Sequence, residues 1–262
     1  MTCRDCGAPL ATRTISALGV NRAITIACSC QTSRDTARRE ATLDSLGESV
    51  WALSQVPTRF RGAQLDTSVP RPVGRAVNAA IAQLPDYRDR AGEPNMREAL
   101  GRIRPGGRGL GLWGPVGTGK THAIAAYLRA ARERLIPGVL LPASSLQLQL
   151  ESAQRFSNHE TSGALVARYV QIPILALDDV DKLLPTSPSV ALAIYELLDA
   201  RWREERPLCL TCNVEPRDRA GVVFERFERH GVAIDDRWLD MTDWAAYPGA
   251  SRRGQRVPAE AR

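Results

Sequence analysis

Gly114-Pro115-Val116-Gly117-Thr118-Gly119-Lys120-Thr121 satisfies the pattern G-x-x-x-x-G-K-[ST] at every fixed position, and its flanks decide the fold. An apolar run, Gly109-Leu110-Gly111-Leu112-Trp113, leads in, and an alanine-rich helical stretch from His122 to Arg132 leads out. Strand, glycine-rich loop and helix in that order make a phosphate cradle. The glycines let successive backbone N–H groups turn toward phosphate oxygens, and the helix offers its positive end to the same anion. Lys120 is placed to reach β- and γ-phosphates, and the Thr121 hydroxyl to take a place on Mg²⁺.

The lysine usage agrees. Of 35 Lys plus Arg only two are lysines, Lys120 and Lys182. A sequence that writes nearly every cation as Arg keeps the compact ammonium where a guanidinium would not fit a phosphate cradle. A nucleoside triphosphate is the expected ligand, with ATP and Mg²⁺ as the cofactors.

Downstream, Ile172-Pro173-Ile174-Leu175-Ala176-Leu177 reads as a strand that delivers Asp178-Asp179, 57 residues after Thr121. A carboxylate pair at that point can hold Mg²⁺ with one member and orient or deprotonate a water with the other. Leu208-Cys209-Leu210-Thr211 is a further strand ending at Cys212-Asn213. Asn213 can reach a γ-phosphate or the lytic water, or simply turn a loop. Cys209 and Cys212 are expected to be buried thiols. Before the Asp178-Asp179 strand come Gly138–Leu141, a strand, then a helix capped by Ser144 and Ser145. A polar loop is expected over 157–163, and a helix over 189–204 with Leu192, Tyr195, Leu198 and Trp202 as its core stripe. Strands alternating with helices predict an α/β fold, a parallel sheet flanked by helices with the nucleotide at the strands' C-terminal edge.

At the front, Cys3-x-x-Cys6 and Cys28-x-Cys30 are close pairs separated by 21 residues. Such pairs suit a tetrahedral Zn²⁺ site of four thiolates, and Gly7 would relieve the first turn; unliganded or redox thiols are the other reading. Short strands over 11–15 and 23–26, around a turn at 19–21, hold too little core to fold without the metal. Four thiolates leave no open position for catalysis. A polar helix over 34–49, a non-helical stretch between Pro57 and Pro70, a helix over 76–84, a loop over 85–95 and a short helix over 96–103 complete the approach to the core.

With 262 residues, one main domain and a small module are expected: residues 1–40 as a zinc-ribbon-like module, 41–75 as a linker, 76–250 as the ATPase core and 251–262 as a basic tail. The net charge of +6 sits on the ends, with six Arg against three acids over 1–40 and four Arg against Glu260 over 248–262. Basic ends can touch nucleic acid, an acidic partner or only solvent. No run of eighteen apolar residues occurs and the start has no apolar h-region, so a cytoplasmic protein with no membrane span is expected.

Those residues together resemble the DnaC/IstB group of AAA+ ATPases, and within it the bacterial and phage replicative helicase loaders. The resemblance covers nearly the whole chain. It runs through the four cysteines, Pro57-Thr58-Arg59-Phe60 with Leu65-Asp66, the Walker A loop 114–121, Walker B at Leu177-Asp178-Asp179, and the sensor 1 strand end Thr211-Cys212-Asn213. Ile234-Asp235-Asp236-Arg237-Trp238-Leu239 resembles the family's Asp-Arg-Leu box, and the stretch from Trp244 to Arg253 its Ser-x-Arg-like element. The resemblance implies Asp178 as Mg²⁺ ligand, Asp179 as catalytic carboxylate where many AAA+ proteins carry Glu, and Asn213 as sensor 1. It implies Arg237 as an arginine finger acting on a neighbouring subunit, hence a homo-oligomer with ATP, and Arg252 or Arg253 as sensor 2. It further implies a slow, partner-regulated ATPase that binds a DnaB-type helicase and single-stranded DNA; an IstB-like transposition ATPase that binds DNA and recruits a transposase is the alternative.

Overall fold

The computed structural model describes residues 2–17, 20–26, 28–31, 33–34, 37, 41, 54–65, 69–85, 108–134, 136–155, 160–215 and 224–252. The polar helix after Arg34, the loop and helix over 86–103 and the tail beyond Arg252 lie wholly or mostly outside these residues; of the turn expected at 19–21, Val20 and Asn21 are instead strand residues, paired with Ala17 and Ser16.

The sequence alternation becomes a five-stranded, all-parallel sheet. Its strands are β3 (Gly109–Trp113), β4 (Gly138–Pro142), β5 (Ile174–Asp178), β6 (Leu208–Cys212) and β7 (Thr242–Ala246), ordered β4-β5-β6-β3-β7. Every pairing in it is parallel. Strands covered on both faces must be apolar at consecutive positions, and β3 to β6 are. Alternate residues then separate into two cores. Val139, Leu141, Leu175, Leu177, Leu208 and Leu210 join one. Leu110, Leu112, Leu140, Ile174, Ala176 and Cys209 join the other. Period-2 geometry thus builds a three-layer molecule.

On one side lie α1 (Arg71–Gln83) and α2 (Lys120–Glu133). On the other are α3 (Ala143–Arg155), α4 (Ser162–Gln171), α5 (Pro188–Arg203) and α6 (Gly231–Met241). Several expectations are corrected here. The helix expected from Ala76 starts five residues earlier, because Pro72 in the first turn costs no hydrogen bond and presets φ for a helix. Ser144 and Ser145 are not caps; α3 begins at Ala143 directly after β4 and takes both serines into its first turn. The polar stretch over 157–163 already contains the start of α4, whose N-cap Thr161 accepts from the Ala164 backbone N–H at 3.2 Å.

The core stripe of α5 is also different. Val190, Ala191, Ile194, Leu197 and Leu198 are buried, whereas Leu192 and Trp202 are 36% and 41% exposed. Finally, residues 54–65 and 69–75, expected to be linker, pack with the core. Val56, Ala63, Val69 and Val73 are buried with the α2 side chains, and Ser54 Oγ accepts from the Leu140 backbone N–H at 2.8 Å.

Ahead of the core, β1 (Thr12–Ala17) and β2 (Val20–Thr25) form an antiparallel pair with Thr12 opposite Thr25.

Candidate functional site

The phosphate loop leaves β3 between the ends of β6 and β7. Gly114 N–H donates to Cys212 O at 3.1 Å, and Tyr247 N–H donates to Trp113 O at 2.6 Å. Gly117 and Gly119 adopt φ of 81° and 117°, a region closed to most side chains, and a Cβ on Gly119 would lie 2.9 Å from the Tyr247 hydroxyl. The loop cannot be built from other residues. Thr118 Oγ1 closes it with a 3.0 Å bond to Pro115 O, and the Arg252 N–H ties the late chain to Gly117 O at 2.9 Å.

Lys120 opens α2 and is 5% exposed. Its Nζ donates to Gly114 O (2.8 Å), Pro115 O (2.9 Å) and Asn213 Oδ1 (2.8 Å). Burial pulls its pKa down, and the nearby Asp179, Asp178 and Asp181 pull it back up. Thr121 Oγ1 meets both oxygens of Asp178, at 3.0 and 2.9 Å. Burial pushes the Asp178 carboxyl upward against the hydrogen bonds of Thr211 and Thr121.

Asp179 follows with a left-handed backbone, φ 56°, unusual for a residue with a Cβ. Its carboxylate receives Lys182 Nζ at 2.5 Å and, more loosely, Asn213 Nδ2 at 3.4 Å. Thr211 binds both members of the pair, donating to Asp178 Oδ1 at 2.5 Å and accepting from the Asp179 N–H at 2.8 Å. A cleft of about 670 Å³ opens over this group, lined among others by Val116, Gly117, Lys120, Thr121, Asp178, Asp179 and Asn213. Pro57, Arg59 and Phe60 from the segment before the core line it too, beside His122, whose ring meets Phe60 edge-on at 5.6 Å.

The structure therefore brings together Gly114 through Thr121, Asp178, Asp179 and Asn213, and adds Arg252 to the cleft wall. Arg253 lies outside the described residues. Arg237 is not among the residues lining the cleft. It sits on α6 with Nε and Nη2 on Asp199 Oδ1, at 2.7 and 2.5 Å, and its guanidinium lies over the rings of Tyr195 and Trp202. Sequence reading gave no role to Thr211, Asp181, Lys182 or Tyr247. Thr211 is the polar position of an otherwise apolar strand, Asp181 the third carboxylate of one short run, and Lys182 one of two lysines; each was a usable signal.

The donor set fits the expected ligands. A hydroxyl and a carboxylate side by side are hard oxygen ligands suited to Mg²⁺, and a buried ammonium in a ring of backbone carbonyls and N–H groups suits a triphosphate. The four N-terminal cysteines likewise fit zinc. Their sulfurs lie within 4.8 Å of one another, with pairs at 3.4 to 3.6 Å. A tetrahedron of Zn–S bonds near 2.3 Å has edges of about 3.8 Å. Gly7 takes φ 72° in the first knuckle, where its N–H reaches Cys3 O at 2.9 Å. The Cys30 backbone N–H, then the neighbouring sulfurs, lower the Cys28 thiol to about 7, whereas the hydrogen bonds to Cys6 and Cys28 push the Cys30 thiol up. Cys209 and Cys212 are buried on opposite faces of the sheet and cannot share a second metal.

No family model matches this sequence, and no curated protein matches it. Solved structures do. A crystal structure of DnaI aligns with a TM-score of 0.56 at 18% identity, over 74% of this chain and 95% of that one. A DnaC helicase loader aligns with a TM-score of 0.52 at 20% identity, over 72% of this chain and 99% of that one. DnaA from Aquifex aeolicus, bound to AMPPCP, aligns with a TM-score of 0.52 at 16% identity, over 74% and 51%. The fold is that of AAA+ P-loop ATPases, preceded by a four-cysteine cluster able to hold zinc. Among the described residues no helix is long and apolar enough to cross a membrane.

Proposed function

We propose that this chain is an ATP-dependent helicase loader that binds a DnaB-type replicative helicase and places it on single-stranded DNA. The convergence of Lys120, Thr121, Asp178, Asp179 and Asn213 on one cleft carries the ATPase part of this reading. The loader part is supported by likeness over nearly the full length of DnaI and of the DnaC helicase loader, and by the thiol module placed ahead of the core.

The proposed chemistry follows from the side chains. Bound Mg²⁺ would offset the charge that develops on the transferred phosphoryl oxygens. Thr121 and Asp178 would hold that ion, and Lys120 would face the β- and γ-phosphates. Asp179 orients the attacking water and accepts its proton, with Lys182 steadying the carboxylate. Arg252 closes the cleft as sensor 2. Arg237 acts on nucleotide held by a neighbouring subunit of a homo-oligomer, which requires it to leave Asp199. Hydrolysis on this scheme is a slow switch that times release of the helicase.

Size-exclusion co-elution with the replicative helicase of the same host, with ATP and after zinc chelation, tests the proposal. A complex that forms with ATP and is lost on chelation is the expected result. Absence of any complex, with ATP-dependent filaments on duplex DNA instead, would replace it with a transposition ATPase.

A further inference from the structure

Asp181 stands outside the catalytic set, yet its carboxylate is spent entirely on Asn213. Oδ1 accepts from the Asn213 backbone N–H at 2.9 Å and from Nδ2 at 3.2 Å, and Oδ2 accepts from Nδ2 at 3.0 Å. A carboxamide whose nitrogen faces carboxylates can turn only its oxygen the other way. That oxygen lies 2.8 Å from Lys120 Nζ. The support behind Asp181 is rigid. The turn Val180–Lys182 is anchored by buried Val180, closed by Lys182 N–H to Asp179 O at 3.0 Å, and gripped by Arg226, whose Nη1 donates to Asp181 O (2.9 Å) and Leu183 O (3.2 Å).

We propose that Asp181 is a positioning residue for ATP hydrolysis, setting the rotation of the Asn213 carboxamide so that its oxygen meets Lys120. This rests on the ATPase reading of the same cleft. The charge of Asp181, not its bulk, does the work. An Asn at this position could still accept the Asn213 N–H, but its own amide nitrogen would face Nδ2. Relief of that donor–donor clash flips the Asn213 carboxamide, which then turns a donor toward the Lys120 ammonium. A merely structural staple would tolerate the same exchange.

The test compares wild type, D181N, N213A and D181N/N213A by single-turnover ATP hydrolysis, by affinity for a fluorescent ATP analogue and by melting temperature. D181N is expected to slow hydrolysis about tenfold or more, as loss of an orienting partner does, while affinity changes less than about threefold. The double variant should be no slower than N213A alone, because both act through one group. D181N that hydrolyses at the wild-type rate, or a double variant slower by the product of the two single effects, overturns the assignment while leaving the ATPase reading intact. A wild-type chain that binds no nucleotide overturns both. Should D181N fail to fold, the D181A/N213A cycle still reads whether the two residues act through one group: a double variant slower by the product of the single effects overturns the assignment.

Discussion

Arg201 is fully buried, and its guanidinium donates to five backbone carbonyls: Tyr169, Val170, Ile172, Pro173 and Pro207. These close α4 and open β5 and β6, where chain leaving a regular element has no partner of its own. Burial, then Arg206, lowers its pKa to about 9. Arg201→Met should cost about 3 kcal/mol or more, since buried carbonyls lose the donor that Arg201 supplies, with Pro207 O keeping a second one in the Leu175 N–H. Urea unfolding measures this; a loss under about 1 kcal/mol would contradict it. Cys209 offers a second residue-scale check. Burial raises its thiol to about 12 from an ordinary 9.0. The folded chain thus holds a proton that the unfolded chain releases, so this contribution is complete below pH 9 and is lost as pH rises toward 12. Iodoacetamide on native protein at pH 8 should leave Cys209 and Cys212 unmodified in a peptide map, and modify both after denaturation. The sequence made Lys120, Thr121 and Asp178 legible because their spacing is tied to a ligand. It hid Arg201, because the spacing 194, 197, 198, 201 runs beside a bulkier stripe at 192, 195, 202. In that stripe Tyr195 and Trp202 face outward beneath the Arg237 guanidinium.

At the scale of elements, α1 and the N-terminal hairpin show opposite limits of sequence reading. The apolar period of α1 begins at Val73, yet the helix was expected only from Ala76; Pro72, which stands in its first turn, is a helix start and not a break. The hairpin's two strands were legible as β-rich runs, but they span 12–17 and 20–25, not 11–15 and 23–26 around a turn at 19–21; a two-stranded sheet is marginal alone, which is why a metal is expected beside it. Zinc should bind near one equivalent per chain. Removal by a chelator should expose residues 1–41 to protease while the melting transition of the core moves by less than about 2 °C, a shift within the range of surface effects. Limited proteolysis with calorimetry reports both; joint loss of module and core would show that they fold as one unit.

Across the whole molecule, strand order decides where chemistry can occur. The chain leaves β3 for the far edge at β4, returns through β5 and β6, and crosses to β7, so the ends of β3, β5 and β6 meet at one crevice. The parallel sheet and its ligand edge were inferred from element alternation; the strand order, and the packing of residues 54–65 and 69–75 onto the core, were not, because no short-range pattern encodes Ser54 meeting Leu140. Ligand held at the junction of three strands should stabilise the entire sheet. ATP with Mg²⁺ at a hundred times its Kd should add about 2.7 kcal/mol, raising the melting temperature by roughly 5–10 °C. Lys120→Ala should abolish that shift and leave its own melting temperature within about 5 °C of wild type; a retained shift would remove Lys120 from the site. The two lysines give this architecture a chemical signature. Lys120 and Lys182 are joined through Asn213 and Asp179, so every side-chain amine of the sequence belongs to a single network. An acylating reagent therefore becomes a footprinting probe: the buried amine reports nucleotide by its protection, and the exposed one reports the carboxylate beside it.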